Sequence, residues 1–389
     1  MEQLDLLTTL TKKNPPPSLF ETEGIKYAGS KREIIPTILS IAKELKIKSV
    51  FDGFSGTTRV SQALARAGYR VWSNDLSDWS YIFGLCYLQS KKSRAHYQNL
   101  IDHLNTVKGI DGWFTLNYGG SALHADSDKD DGKKKIWQIH NTQKLDAIRR
   151  EIDLIADDPT DKAVLLTSLI FAMDKVDSSL GHHTSYLRKW SPRSYNKMLL
   201  TVPALIEKKD LRNRVTQGDI FAALKKNNCD LFYFDPPYGS SNEKMPPSRV
   251  RYASYYHLWT TIIKNDQPTV VGAANRRADV SDSLSSSIFE EFRRSPNGRF
   301  IATEAIEKLI KLSPAPYIVL SYNNQGRATL DELLEVGHAH SKDFKIVERD
   351  HKSNVMKSMR WTNKWSNEKE IHTKEFLFIL SKHDQLPEF

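Results

Sequence analysis

From Glu33 to Lys46 the apolar residues Ile34, Ile35, Ile38, Ile41, Ala42 and Leu45 recur at helical spacing and share one face, which predicts an amphipathic helix. The pattern then changes to a short run, Ser49-Val50-Phe51, that reads as a buried strand. A glycine-containing turn and a second helical run, Thr58 to Ala67, follow it. Tyr69 to Trp72 reads as a second strand ending near Asn74-Asp75. Strand, glycine-rich turn, helix, strand, acid is the order of a βαβ nucleotide-binding unit.

A later series of strands is predicted at Arg214–Gln217, Leu231–Phe234 and Tyr317–Tyr322, with Phe344–Val347 and Phe376–Leu380 closing the sheet as a hairpin-like pair. Between the two series, residues 80 to 205 read as mainly helical, and Ala125 to Lys135 as a charged, solvated loop. Residues 239 to about 298 form a second interruption rich in Ser, Arg, Asn and Pro. Asn14-Pro15-Pro16-Pro17 is an extended lead-in, because proline lacks the amide a helix needs. The expected organisation is one α/β core, residues 20–80 and 206–389, carrying insertions at 81–205 and 239–298.

Composition narrows the class. Of 389 residues, 39% are hydrophobic and 26% charged, ordinary values for a soluble globular protein. Lys and Arg number 56 against 47 Asp and Glu, and the resulting charge of +9 favours a polyanionic partner. The two cysteines, Cys86 and Cys229, lie far apart without metal-ligand spacing, so neither a disulfide framework nor a metal site is expected. The longest apolar stretch, Ala163 to Met173, is interrupted by Thr167 and Ser168 and is too short to span a bilayer. Met1 to Leu10 lacks a signal pattern, so a cytoplasmic location without membrane attachment is expected.

The segment with most chemical content is Leu231-Phe232-Tyr233-Phe234-Asp235-Pro236-Pro237-Tyr238. Two prolines stop the buried strand at once and deliver Asp235 and Tyr238 to the carboxyl edge of a parallel sheet, where open α/β folds place ligands. An exocyclic amine of adenine is a poor nucleophile because its lone pair is delocalised into the ring. Hydrogen bonds from that amine to the Asp235 carboxylate and the Pro236 carbonyl would localise the pair, so that it attacks a methyl sulfonium directly. Tyr238 would hold an extruded base by stacking. The tetrapeptide alone suits a rigid strand-ending turn equally well.

Other segments tip the balance. Phe51-Asp52-Gly53-Phe54-Ser55-Gly56-Thr57-Thr58 joins the first strand to a helix, and its glycines permit close approach of a ligand. There Asp52 is placed to meet the ammonium group of an amino-acid moiety. Asp75, 19 residues beyond Gly56, is spaced to grip ribose hydroxyls. Lys26-Tyr27-Ala28-Gly29-Ser30-Lys31 precedes the first helix and can bind a carboxylate. Asp219 can accept an adenine amine, or simply cap the helix from Ile220 to Lys226.

Taken in order, KYAGSK at Lys26–Lys31, FDGFSGT at Phe51–Thr57, Asp75, Gly218-Asp219, DPPY at Asp235–Tyr238 and LSYNN at Leu320–Asn324 resemble the alpha-type (Dam-like) N6-adenine DNA methyltransferases. The order and the DPPY tetrapeptide carry the likeness, which spans the core but not the insertions. Thr58 departs from the family, where a second glycine is common after FxG. The resemblance implies a Rossmann-like methyltransferase fold with a mixed seven-stranded sheet, its last two strands antiparallel. It implies S-adenosyl-L-methionine as cofactor, held by Lys26, Tyr27, Lys31, Asp52, Phe54, Gly56, Asp75 and Asp219. The target adenine falls to Asp235, Pro236, Pro237 and Tyr238.

For double-stranded DNA, residues His182 to Lys197 mix cations, hydroxyls and aromatics, with Arg188, Lys189 and Arg193 as phosphate contacts and the two histidines as surface hydrogen-bonding residues. Asn242 to Tyr256 supplies Arg249 and Arg251, suited to reading guanine. A solvated basic face is the plain alternative for both. Cytosine C5 chemistry is discounted, since Cys229 precedes the strand instead of following a proline at its end. Cytosine N4 methylation, RNA adenine methylation and a non-catalytic nucleic-acid-binding role remain as rivals. A separately encoded restriction endonuclease is the expected partner if the enzyme modifies DNA for a restriction system.

Overall fold

A computed structural model of the protein describes residues 21–239, 252–280, 287–351 and 373–389. Seven strands make one sheet: β1 Ser49–Asp52, β2 Arg70–Asp75, β3 Arg214–Gln217, β4 Leu231–Phe234, β5 Tyr317–Asn323, β6 Asp343–His351 and β7 Thr373–Ser381. Their spatial order is β6-β7-β5-β4-β1-β2-β3. The strands from β3 across to β5 pair in parallel, whereas β7 runs antiparallel to both β5 and β6. The mixed sheet matches the expected methyltransferase fold, and the expected hairpin-like pair at its end is the β6–β7 ladder.

Why these segments are strands follows from burial on both faces. Along β1 and β4, Val50, Leu231 and Tyr233 enter one core, while Phe51, Phe232 and Phe234 enter the other. The same alternation runs along β7, with Leu377 and Ile379 on one side and Phe376 and Phe378 on the other. Side chains two residues apart share a face, so a continuous apolar run is the signature of a strand covered twice. Helices Ile35–Glu44, Arg59–Arg66 and Pro159–Lys175 contribute to the first core. Helices Ile220–Leu224, Ile301–Leu312 and Leu330–His340 contribute to the second.

The apolar stretch Ala163–Met173 is the middle of a central helix, buried almost all round. Asp158 starts that helix by accepting hydrogen bonds from the amides of Thr160 and Asp161, and Pro159 fits its first turn. Among the described residues no helix is long and apolar enough to cross a membrane. The region between β2 and β3 is mainly helical to Tyr118 and again from Ile139 to Lys175, and it is irregular from Val176 to Asn213 except for one short turn at Pro192–Tyr195. Within it, the expected solvated loop is only partly solvated, since Ser127 and Lys135 are buried.

Candidate functional site

The cleft forms because five chain segments end or bend at the carboxyl edge of the parallel strands. Asp52 ends β1, Asp75 ends β2, Gly218-Asp219 follows β3, and Asp235-Pro236-Pro237-Tyr238 follows β4. Lys31 arrives from the segment before the first helix. Together they line a cavity of about 660 Å³, closed from one side by Tyr252 of the short helix Tyr252–Tyr255 and by Phe289 and Glu290. Tyr27, Lys31, Asp52, Phe54, Gly56, Asp75, Asp219 and all four residues from Asp235 to Tyr238 lie in this lining.

The β1 loop is held by its own acids. The Gly56 amide donates to Asp75 Oδ2 at 2.8 Å, and the Ser77 amide to Asp75 Oδ1 at 2.9 Å. Gly56 has φ near +50°, and a side chain there would press on the Tyr27 ring. Thr58 also takes the left-handed conformation, with φ +60°, at the position where the family favours glycine. It is fully buried, its hydroxyl donating to the Thr57 carbonyl and accepting from Gln62, contacts that hold a β-branched residue where it is seldom found. Asp52 Oδ2 accepts from Ser61 Oγ at 2.6 Å, while Oδ1 is buried without a hydrogen-bond partner among the described residues. Phe54 packs edge-on against Phe289 and Phe234, and Tyr27 stacks on Tyr256 at 4.6 Å. Asp219 caps its helix by accepting from the Ala222 amide and also faces the cavity.

A charge cluster sits at the end of β4. Lys31 Nζ lies 3.0 Å from Asp235 Oδ1 and 3.5 Å from Glu375 Oε1. The Tyr238 hydroxyl is 2.5 Å from Asp235 Oδ1 and 2.7 Å from Glu375 Oε1. Instead of lying open to a base, the Tyr238 ring packs against Tyr322 at 4.6 Å and under Lys31. Its carbonyl accepts from the Tyr322 hydroxyl and the Arg327 amide, which fixes the loop.

Burial raises Asp235, Asp52 and Asp75. Asp235 is pushed up to about 6 by desolvation, with Lys31 opposing and Glu375 adding to the rise. Desolvation takes Asp52 to about 7 against the Ser61 hydrogen bond, and it lifts Asp75 despite the Gly56 amide. For Lys31, desolvation works downward, but Asp235 and Glu375 outweigh it and hold the ammonium above its usual range. Carboxylates raised by burial, one with an oxygen that has no partner among the described residues, make a cavity suited to a cationic ligand.

Other predicted positions fall elsewhere. Lys26 lies outside the cavity lining, its ammonium bound to Asp177 Oδ1 at 2.6 Å and to the Asp174 carbonyl. Arg193 is held by the same Asp177 at 2.7 Å and donates to the Ser179 carbonyl. Arg188 and Lys189 are exposed, with Arg188 about 3.4–3.5 Å from Asp126 and Asp128. Arg249 and Arg251 lie outside the described residues. His182 and His183 are not surface residues: both are buried, His182 stacked on Tyr255 and His183 donating its amide to the Tyr255 carbonyl. Glu375 was not found from sequence; the available signal was one acid opening the otherwise apolar strand from Phe376 to Leu380.

The family model for D12 class N6 adenine-specific DNA methyltransferase matches residues 27–289, more than half of the chain. Among curated proteins the chain is 25% identical over 333 residues to modification methylase StsI of Streptococcus sanguinis, covering 80% of this chain and 46% of that protein. It is 25% identical over 368 residues to the type II methyltransferase M.NlaIII of Neisseria lactamica, covering 92% and 99%. Modification methylase LlaI of Lactococcus lactis subsp. lactis is 24% identical over 341 residues, covering 82% and 49%. The chain thus spans about half the length of the StsI and LlaI enzymes and nearly all of M.NlaIII.

Proposed function

This chain belongs to the D12 class of N6 adenine-specific DNA methyltransferases, and we propose that it methylates the N6 amine of a flipped adenine in duplex DNA, as the modification enzyme of a restriction system. The observation that carries the reading is Asp235. Its Oδ1 holds both the Lys31 ammonium and the Tyr238 hydroxyl, while Oδ2 has no hydrogen-bond partner among the described residues and the side chain borders the cavity. The names of the relatives, modification methylases and a type II methyltransferase, support the restriction-system part, and a cognate endonuclease is the partner it calls for.

The residues present fit S-adenosyl-L-methionine. Asp52 Oδ1, without a partner among the described residues, suits its ammonium group, Asp75 the ribose hydroxyls, Asp219 the adenine amine, and Tyr27, Lys31, Phe54 and Gly56 complete the walls. Bound there, the cofactor supplies an electrophilic methyl group on a sulfonium. Asp235 Oδ2 and the Pro236 carbonyl accept the two N6 hydrogens, which localises the nitrogen lone pair toward the methyl group. Asp235 Oδ2 would take up the surplus N6 proton that methylation leaves on the amine. Burial makes that carboxylate a stronger base than an exposed one. Pro237 keeps the turn rigid, and Tyr238 completes the wall on the base side.

Regions 81–205 and 239–298 are the proposed DNA-contacting parts. Exposed Arg188 and Lys189 serve phosphates, and Arg249 and Arg251 serve bases. Arg193 and Lys26, both committed to Asp177, contribute by holding their segments together. The test is transfer of labelled methyl from cofactor to DNA of a methylation-free host, with N6-methyladenine mapped by modification-sensitive sequencing. Transfer to RNA alone, or methyl appearing on cytosine, overturns the reading.

Asp52→Asn is expected to weaken cofactor binding about 10- to 100-fold, the scale of one hydrogen bond to a charged group at ~1.5–3 kcal/mol. Because burial pushes Asp52 up to about 7, wild-type affinity should also fall as pH drops below about 7, where the neutral carboxyl no longer attracts a cation. The variant should lack that dependence. Calorimetry from pH 6 to 8 checks both, and equal affinity across the range would remove Asp52 from the site.

A further inference from the structure

Glu375 stands near the start of β7, 3% exposed, in a strand whose neighbouring core positions are Phe376, Leu377 and Phe378. Because β7 runs antiparallel, its beginning lies beside the end of β5: Glu375 pairs with Asn323 in register. That places a second acid at the carboxyl edge, behind Asp235. One oxygen, Oε1, receives Ser321 Oγ at 2.6 Å and the Tyr238 hydroxyl at 2.7 Å, and lies 3.5 Å from Lys31 Nζ.

A buried carboxylate beside another is unfavourable unless both are paired. Here one ammonium serves two acids, and the single Tyr238 proton serves one oxygen at a time. Among the described residues, the partners of Asp235 are thereby gathered on Oδ1, on the side facing Glu375. Resting on the adenine reading above, we propose that Glu375 is a positioning residue for methyl transfer: it anchors Lys31 and Tyr238 behind Asp235 and so fixes Oδ2 toward the target amine.

The charge environment of Asp235 makes this testable. Lys31 and Tyr27 reach it from the segment before the first helix, Asp52 from β1, Tyr233 and Tyr238 from β4 and its extension, Tyr252 from helix Tyr252–Tyr255, and Glu375 from β7. Lys31 is the cation in this set, and Glu375 is the acid that acts most strongly against the Asp235 anion. Without the Glu375 charge, Lys31 and Tyr238 collapse onto Asp235 alone.

Glu375→Gln should therefore lower kcat about tenfold and move the acid limb of kcat/KM, expected near pH 6, downward by about one unit. Its cofactor Kd, by calorimetry, should stay within about threefold of wild type. Glu375→Asp keeps the charge but retracts it, so its acid limb should stay at the wild-type position while kcat falls. An unshifted limb in Glu375→Gln overturns the proposal. So does full turnover in Glu375→Asp, which decides the matter if the Gln variant does not fold. Failure of the wild-type enzyme to methylate adenine is a separate result that removes the activity itself.

Discussion

Asp235→Ala should reduce methyl transfer by about 10³-fold or more while the fold and cofactor affinity stay near wild type. The magnitude follows from losing both the proposed acceptor for the N6 amine and the proposed base for its proton, at about 1.4 kcal/mol per factor of ten. Stability should survive for a structural reason. Lys31 loses its 3.0 Å partner but keeps Glu375 at 3.5 Å, and Tyr238 keeps its 2.7 Å bond to the same acid. Removing Asp235 also removes a carboxylate that burial disfavours. Single-turnover methylation with a parallel melting curve checks the pair of expectations. Unfolding of the variant, or a turnover within tenfold of wild type, would sink the role given to Asp235.

Lys31→Met should behave in the opposite way, harming the fold as well as the reaction. It leaves Asp235 and Glu375 facing each other with no cation, and breaking a buried ion pair from one side costs about 3–5 kcal/mol. The residual exposure of Asp235, 17% for its side chain, favours the lower end, about 3 kcal/mol. The sign with pH follows from direction. Lys31 lowers the Asp235 pKa, so its loss lifts a value already near 6 toward or past neutrality. A carboxyl raised in the folded state resists ionisation there, so the destabilisation should be small near pH 5 and full above neutrality. Activity should show the same shift, with its acid limb moved up and residual turnover best in mildly alkaline buffer. Denaturant melts at pH 5 and pH 8, compared with wild type, give the difference; equal losses at both values would show that Lys31 does not act through the acids.

The two variants together separate chemistry from support. Asp235→Ala tests the oxygen proposed to meet the substrate, and Lys31→Met tests the cation that favours its ionised form. The lining of the cavity shows why both belong to one site although 204 positions of chain separate them.

Local pattern determined a great deal about this protein. Strands β3 and β4 have the predicted limits, and β1, β2 and β5 were located to within a few residues; for β1, β4 and β5 this is because apolar runs with sharp ends leave little freedom. The glycine-containing loop after β1 and Asp235-Pro236-Pro237-Tyr238 were legible because each follows a strand that stops abruptly, and a strand that stops at a proline pair must present its next polar residue at the sheet edge. Side-chain partners were not legible, because they depend on which strand ends converge. Lys26 and Arg193 look like free cations in sequence, yet both are turned onto Asp177, an acid 151 positions beyond Lys26. His182 and His183 sit in a polar run but are buried by the helix Tyr252–Tyr255 and its neighbours. Glu375 joins the site only because β7 runs antiparallel and starts where the parallel strands end, 137 positions after Tyr238. Strand direction is settled by how the whole sheet closes, and no local run of residues encodes it.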